Sequence, residues 1–271
     1  MPEDDKRKPG QNRYVQIVSK VFQLRYKGGA TEVRFEREDL NRAADELGLA
    51  RVKNLGDVVS SFKFRQELPR SIQRTAAPGR EWRLETVGRA SYRFAQVRPF
   101  AIAPNPHLAE TKVFDATPAI VSRFAQGDEQ AVLAKLRYNR LVDTFTGVTC
   151  YSLQNHLRTT VSGIGQIETD ELYVGVDKRG ILYIFPVQAK GGRDSLGAQQ
   201  IEQDLAMCGE KFPSLVCRPI AAQLMGEEKV ALFELEGGAE GLKIVAERHY
   251  RLVPEDDLSS SELEAYRKRP D

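Results

Sequence analysis

Between Gln166 and Asp194 the chain reads QIETDELYVGVDKRGILYIFPVQAKGGRD. Two largely apolar stretches flank a Lys178-Arg179-Gly180 turn. The first opens with Glu168, Asp170 and Glu171, and the second closes with Gln188, Ala189 and Lys190. On a strand, side chains two apart share a face. Glu168 and Asp170 are therefore expected on one face, Glu171 on the other, and Gln188 with Lys190 on a common face. Folding the stretches into a hairpin brings a carboxylate, an amide oxygen and an ammonium to one sheet edge. That set suits phosphodiester hydrolysis. A divalent ion held by oxygens polarises the phosphate and acidifies a bound water, and a lysine orients that water and offsets transition-state charge. The three histidines, His107, His156 and His249, have no zinc-site spacing, and Cys150, Cys208 and Cys217 form no CxxC pair. The cysteines are expected reduced and mostly buried. Metal chemistry in this chain would rest on oxygen donors, which suits Mg²⁺, with Mn²⁺ as a substitute.

The surrounding pattern supplies elements to position these groups. DEQAVLAKLRYNRLVDTFTG, from Asp128, predicts one amphipathic helix ended by Gly147. Strands are expected over 149–161, 166–177 and 181–190. The last is almost continuously apolar, as a central buried strand should be. SLGAQQIEQDLAMCGEKFP predicts a helix, and LVCRPIAAQLM, KVALFELE and GLKIVAERHYRLV predict further strands. The order from residue 128 is helix, three strands, helix, strand. Residues 255–271 read as a tail carrying one surface helix.

With acid, strand, turn, strand and Gln-Ala-Lys inside that order, the segment 128–225 resembles the PD-(D/E)XK nuclease superfamily, to which type II restriction endonucleases, resolvases and repair nucleases belong. The resemblance implies that Asp170, Gln188 and Lys190 are catalytic. It also implies that Asp170, Gln188 and the Ala189 carbonyl ligate the metal. No proline precedes Asp170, and Gln188 stands where the family carries an acid. Glu168, or Glu129 on the preceding helix, is then expected to supply the missing charge. Glu171, Gln199, Glu202 and Gln203 are expected as supporting residues near the site. A site left inactive by Gln188 is the alternative.

Charge divides the chain. Residues 11–100 hold 18 Lys/Arg against 10 Asp/Glu, whereas residues 101–271 hold 19 against 25. A basic front half suits phosphates. Its pattern is a helix ended by Gly28-Gly29, a short strand TEVRFE, a helix from Arg37, a helix over Lys53–Pro69 and a hairpin around Gly88. That order resembles a winged helix-turn-helix over residues 13–97. The resemblance implies a recognition helix, Asn54–Gln66, with contacts from Lys53, Asn54, Ser60, Ser61, Lys63, Arg65 and Gln66. Its wing would carry Arg83, Arg89 and Arg93.

The expected architecture is thus mixed α/β (α+β). A winged-helix-like domain (13–97) and a proline-rich linker (98–118) precede a restriction-endonuclease-like mixed sheet flanked by helices (119–254). The expected function is Mg²⁺-dependent cleavage of double-stranded DNA, restriction being favoured over structure-selective repair or junction cutting. The third possibility is a DNA-binding regulator on an inactive nuclease fold. Double-strand cutting implies a homodimer. No apolar run is long enough for a membrane span and the first residues lack a signal-peptide core, so a soluble cytoplasmic protein is expected.

Overall fold

The structure, a computed structural model, describes residues 9–64, 66–124, 129–191, 196–238 and 241–269. The chain is mixed α+β and divides into two compact units. The first comprises residues 1–99 together with 160–166, and the second comprises 100–159 and 167–271. Among the described residues no helix is long and apolar enough to cross a membrane.

The first unit runs α1 (Pro9–Arg25), β1 (Glu32–Glu36), α2 (Arg37–Glu46), α3 (Leu55–Phe64), α4 (Arg70–Gln73), β2 (Glu81–Gly88) and β3 (Ser91–Val97). The β2–β3 hairpin returns to β1, giving an antiparallel sheet of order β1-β3-β2. Helical spacing puts Val18, Val21 and Phe22 of α1 and Leu40, Ala43 and Ala44 of α2 into one core. Val58, Val59 and Phe62 of α3 join them against Trp82, Leu84 and Phe94 of the sheet. Strict alternation along the strands supplies those apolar partners. A capping box between Glu36 and Asp39 starts α2. The helix expected over Lys53–Pro69 is shorter, and α3 ends at Phe64.

The second unit is built on a mixed sheet of order β4-β11-β10-β9-β7-β6-β5. Its strands are β4 (Glu110–Phe114), β5 (Thr149–Val161), β6 (Gly165–Val176), β7 (Leu182–Lys190), β8 (Val216–Cys217), β9 (Ile220–Met225), β10 (Lys229–Gly238) and β11 (Gly241–Val253). Short β8 also pairs β7. The helices are α5 (Ala119–Phe124), α6 (Glu129–Tyr138), α7 (Leu141–Thr146), α8 (Ala198–Lys211) and α9 (Ser260–Arg267). β6 and β7 are antiparallel from Glu171↔Val187 to Val176↔Leu182, joined through a turn in which Gly180 has φ +82°. β7 then crosses through α8 to β9, which lies parallel to it from Val187↔Ile220 to Lys190↔Gln223.

β7 is buried on both faces. Phe185, Val187 and Ala189 pack with Val132, Leu133 and Leu136 of α6 and Leu141 and Val142 of α7. The other sheet face, with Ala221, Ala231 and Phe233, packs on Ile201 of α8. Helices on both faces explain why this strand reads as continuously apolar.

Two expectations are corrected here. The single helix over 128–147 is two, because Arg140 takes a left-handed conformation (φ +49°) and turns the chain between α6 and α7. The proline-rich stretch 98–118 also contains β4, which pairs in parallel with β11 from His249↔Glu110 to Val253↔Phe114. That pairing partner lies far along the chain, so local composition carries no sign of it.

Candidate functional site

Pairing between β6 and β7 begins at Glu171↔Val187, so the strands part at Asp170. The Asp170 carboxylate fills the gap and accepts the Ala189 backbone N–H at 2.8 Å. Strict alternation fails around this point. Thr169 reaches Asp204 on α8, whereas Glu171, two residues on, reaches Arg137 on α6, across the sheet. Burial raises the Asp170 pKa above the ordinary carboxylate value, opposed by the Ala189 N–H and the nearby Lys190 charge. Lys190 Nζ donates to Glu129 at the start of α6. Asp170, Gln188, Ala189, Lys190 and Glu129 are thus gathered at one end of β7.

Glu168 is not part of this group. Its exposed carboxylate accepts from Arg158 Nε at 3.0 Å and lies 3.6 Å from His156 Nδ1. Glu171 is fully buried and accepts from Arg137 Nε and Nη2 (3.0 and 2.9 Å) and from Ser152 Oγ (2.7 Å). It fastens α6 to the sheet.

The Gln188 amide is fixed in orientation. Its Nε2 donates to Asp204 Oδ2 at 2.8 Å and to the Glu168 carbonyl at 3.2 Å, and its Oε1 accepts from Gln200 Nε2 at 3.1 Å. The Glu168 carbonyl can only accept, so the amide nitrogen must face it.

Asp204 is the residue that sequence reasoning missed. It is fully buried, accepts Thr169 Oγ1 at 2.6 Å, and has its pKa pushed up to about 7 by burial and the Asp170 charge. Gln200 and Asp204, i and i+4 on α8, meet Gln188. The expected Gln199 and Gln203 are buried on the same helix, and Glu202 is half-buried. The usable signal was an aspartate between the apolar Ile201 and Met207 of the helix.

His156 was also passed over. It sits within β5 at φ +48°, a conformation uncommon for a non-glycine residue in a strand. The irregularity lets consecutive side chains turn toward α6. Asn155 accepts from Arg137, and His156 pairs with Gln130.

The donor set can be tested against a divalent cation. Two buried carboxylates, each shifted upward, flank the end of β7, and the Gln188 amide turns its nitrogen, not its oxygen, to Asp204. Among the described residues no three His, Cys, Asp or Glu side chains cluster as a closed cage. Mg²⁺ is commonly held by only one or two carboxylates with water completing the shell. Asp170, beside the Ala189 backbone, could supply one such carboxylate, and the Gln188 oxygen, which accepts from Gln200, has a second lone pair to offer.

In the first unit, Lys53 and Asn54 are exposed ahead of α3, where Asn54 Oδ1 accepts the Gly56 N–H at 3.1 Å. Ser60 is half-buried, and buried Ser61 accepts from Gln66 Nε2 at 2.7 Å. Lys63 Nζ donates to Thr86 Oγ1 at 3.1 Å. Arg65 lies outside the described residues. Arg83 and Arg93 pair with Glu85 at 2.7 and 2.8 Å, and Arg93 also with Glu32. Arg89 is exposed at the hairpin tip. Lys53, Asn54 and Arg89 are therefore the candidate contacts that face solvent, while most of the others are engaged within the unit. No family model, curated protein or solved structure matches this chain.

Proposed function

We propose that the protein is a Mg²⁺-dependent endonuclease of double-stranded DNA, with Mn²⁺ able to substitute, in which the second unit cuts and the first reads the duplex. The observation that carries this reading is the convergence of Asp170 and Lys190 where two paired strands part, with the Gln188–Asp204 pair beside them. The order of α6 and α7, three strands, α8 and then β8 and β9 is the support for a likeness to PD-(D/E)XK nucleases. The helix–strand–helix–helix–hairpin order, with β3 returning to β1, supports a winged-helix reader. Restriction in the cytoplasm by a homodimer, one site per strand, is the favoured biology.

Asp170, the Gln188 carbonyl and the Ala189 backbone would hold the ion. Bound there, Mg²⁺ supplies Lewis acidity at the phosphate and a more acidic water. The protein groups have separate tasks. The Ala189 N–H aims the Asp170 carboxylate. Asp204 and the Glu168 carbonyl hold the amide nitrogen, which fixes the direction of the Gln188 oxygen. Glu129 holds the Lys190 side chain at the strand end, where it orients the attacking water and offsets phosphoryl charge.

A second reading has its own support. Both ends of the Gln188 amide are occupied, and Lys190 is already paired, as a DNA-binding regulator on an inactive nuclease fold would allow. Incubation of plasmid and phage DNA with Mg²⁺, Mn²⁺ or EDTA separates the two. The proposal expects discrete metal-dependent fragments, reduced about 10²-fold or more in Lys190→Ala and Asp170→Asn variants. Intact DNA in both metals, with DNA binding retained, would select the regulator. Cleavage that follows branches or mismatches instead of sequence would select a repair or junction enzyme.

A further inference from the structure

The seam between α8 and the sheet holds a second pair of reactive side chains. Cys208 follows Asp204 by four residues, so it lies on the same face of α8, one turn further along. It is buried. Cys217 of β8 stands in register with Ile184 of β7, and residues opposite each other in a ladder point to the same face. Ile184 precedes Gln188 by four residues on the same strand, so both share the face that α8 covers. The register therefore turns Cys217 toward the face of α8 that carries Cys208, and α8 packs against β8. Cys217 is only half-buried, which leaves it open to solvent reagents. Both ends of the connection are anchored. Phe212 N–H caps α8 on the Cys208 carbonyl, and Arg218 N–H binds the Ile184 carbonyl just after Cys217.

We propose that Cys208 and Cys217 form a dithiol site that closes to an intramolecular disulfide on reaction with a small disulfide such as oxidised glutathione. The Cys217 sulfur, as thiolate, attacks the reagent's S–S bond and releases one glutathione thiolate, leaving a mixed disulfide. The Cys208 sulfur then attacks the Cys217 sulfur, expels the second glutathione and gives its proton to that leaving thiolate. Two protein thiols are oxidised and one reagent disulfide is reduced. The order follows from access, since Cys217 is half-buried and Cys208 buried, and the neighbouring Cys217 thiol and burial both raise the Cys208 pKa. Cys150 belongs to the core on the opposite sheet face, where burial pushes its pKa up to about 11, and it serves as an internal control. The bond would clamp α8 to β8 one turn from Asp204, and the inference is independent of the nuclease reading.

The test is to treat the folded protein with oxidised glutathione, unfold it, alkylate the remaining thiols and map the peptides. The expected result is a Cys208–Cys217 linkage, with Cys150 alkylated and a melting temperature that rises on oxidation and falls back with dithiothreitol. Cys208→Ala should stop at a glutathione adduct on Cys217. Should that variant fail to fold, Cys217→Ser should abolish the linkage and leave Cys208 unreacted. A persistent adduct on Cys217 of the natural protein, a linkage through Cys150, or three unreacted thiols would each overturn the proposal.

Discussion

Replacing Asp204 by asparagine should remove the pH dependence of stability that this residue contributes to the α8 seam. Asp204 is fully buried, with Thr169 and Gln188 as its side-chain partners among the described residues, and burial pushes its pKa up to about 7 from the ordinary 3.8. The folded state therefore binds a proton that the unfolded chain releases, so stability falls as pH rises between these values, by about 1.4 kcal/mol per unit at most. The stabilisation is whole below about pH 4 and gone above about pH 7. A shift of roughly 3 units sets a ceiling of about 4 kcal/mol over that window. Asparagine has the shape of the protonated acid. Its oxygen can accept from Gln188 while its nitrogen donates to the Thr169 hydroxyl. Asp204→Asn should therefore gain on the natural protein steadily from about pH 4 to 7, and hold that gain above it. Urea denaturation of both proteins across this range, with EDTA present, gives the difference directly. Parallel stability curves would refute the argument, because they would mean that Asp204 ionises as readily folded as unfolded.

Lys63 should show the opposite slope. Burial holds its ammonium down to about 8, so below that pH the folded state carries a charge it resists, and stability rises with pH toward the unfolded value of 10.5. Lys63→Met should gain about 2 kcal/mol at neutral pH, less the Thr86 hydrogen bond, with the gain fading near pH 10 in denaturant titrations. A gain of equal size at both pH values would point to packing alone. Glu171→Gln should cost about 3 kcal/mol, because it leaves the half-exposed Arg137 guanidinium without a charged partner. Thermal melts would measure that loss, and an unchanged melting temperature would deny Glu171 its fastening role.

Much of the framework was legible because it rests on local chemistry. Two-residue alternation marked β1, β2 and β3, and a continuous apolar run marked β7 as central. Gly180 marked the turn that joins β6 to β7, since a left-handed φ there favours glycine. The approach of Asp170 to the Gln-Ala-Lys end of β7 followed from strand pairing across that turn. Other features depend on groups distant in sequence. β4 became a strand only because β11, more than a hundred residues on, offers it a ladder. The phase of α8 against the sheet decided that Gln200 and Asp204 meet Gln188. Helical periodicity gives the width of a buried stripe but not which polar residue at its margin faces a given strand. Tertiary packing also assigned Glu168 to Arg158 and Glu171 to Arg137, because the parting of β6 from β7 at Asp170 breaks the alternation on which sequence reasoning relied. By itself the sequence determined the acids, the amide and the lysine, and the hairpin that carries them. The tertiary structure alone decided which acid is buried beside Gln188, since desolvation and charge coupling act through space, not along the chain.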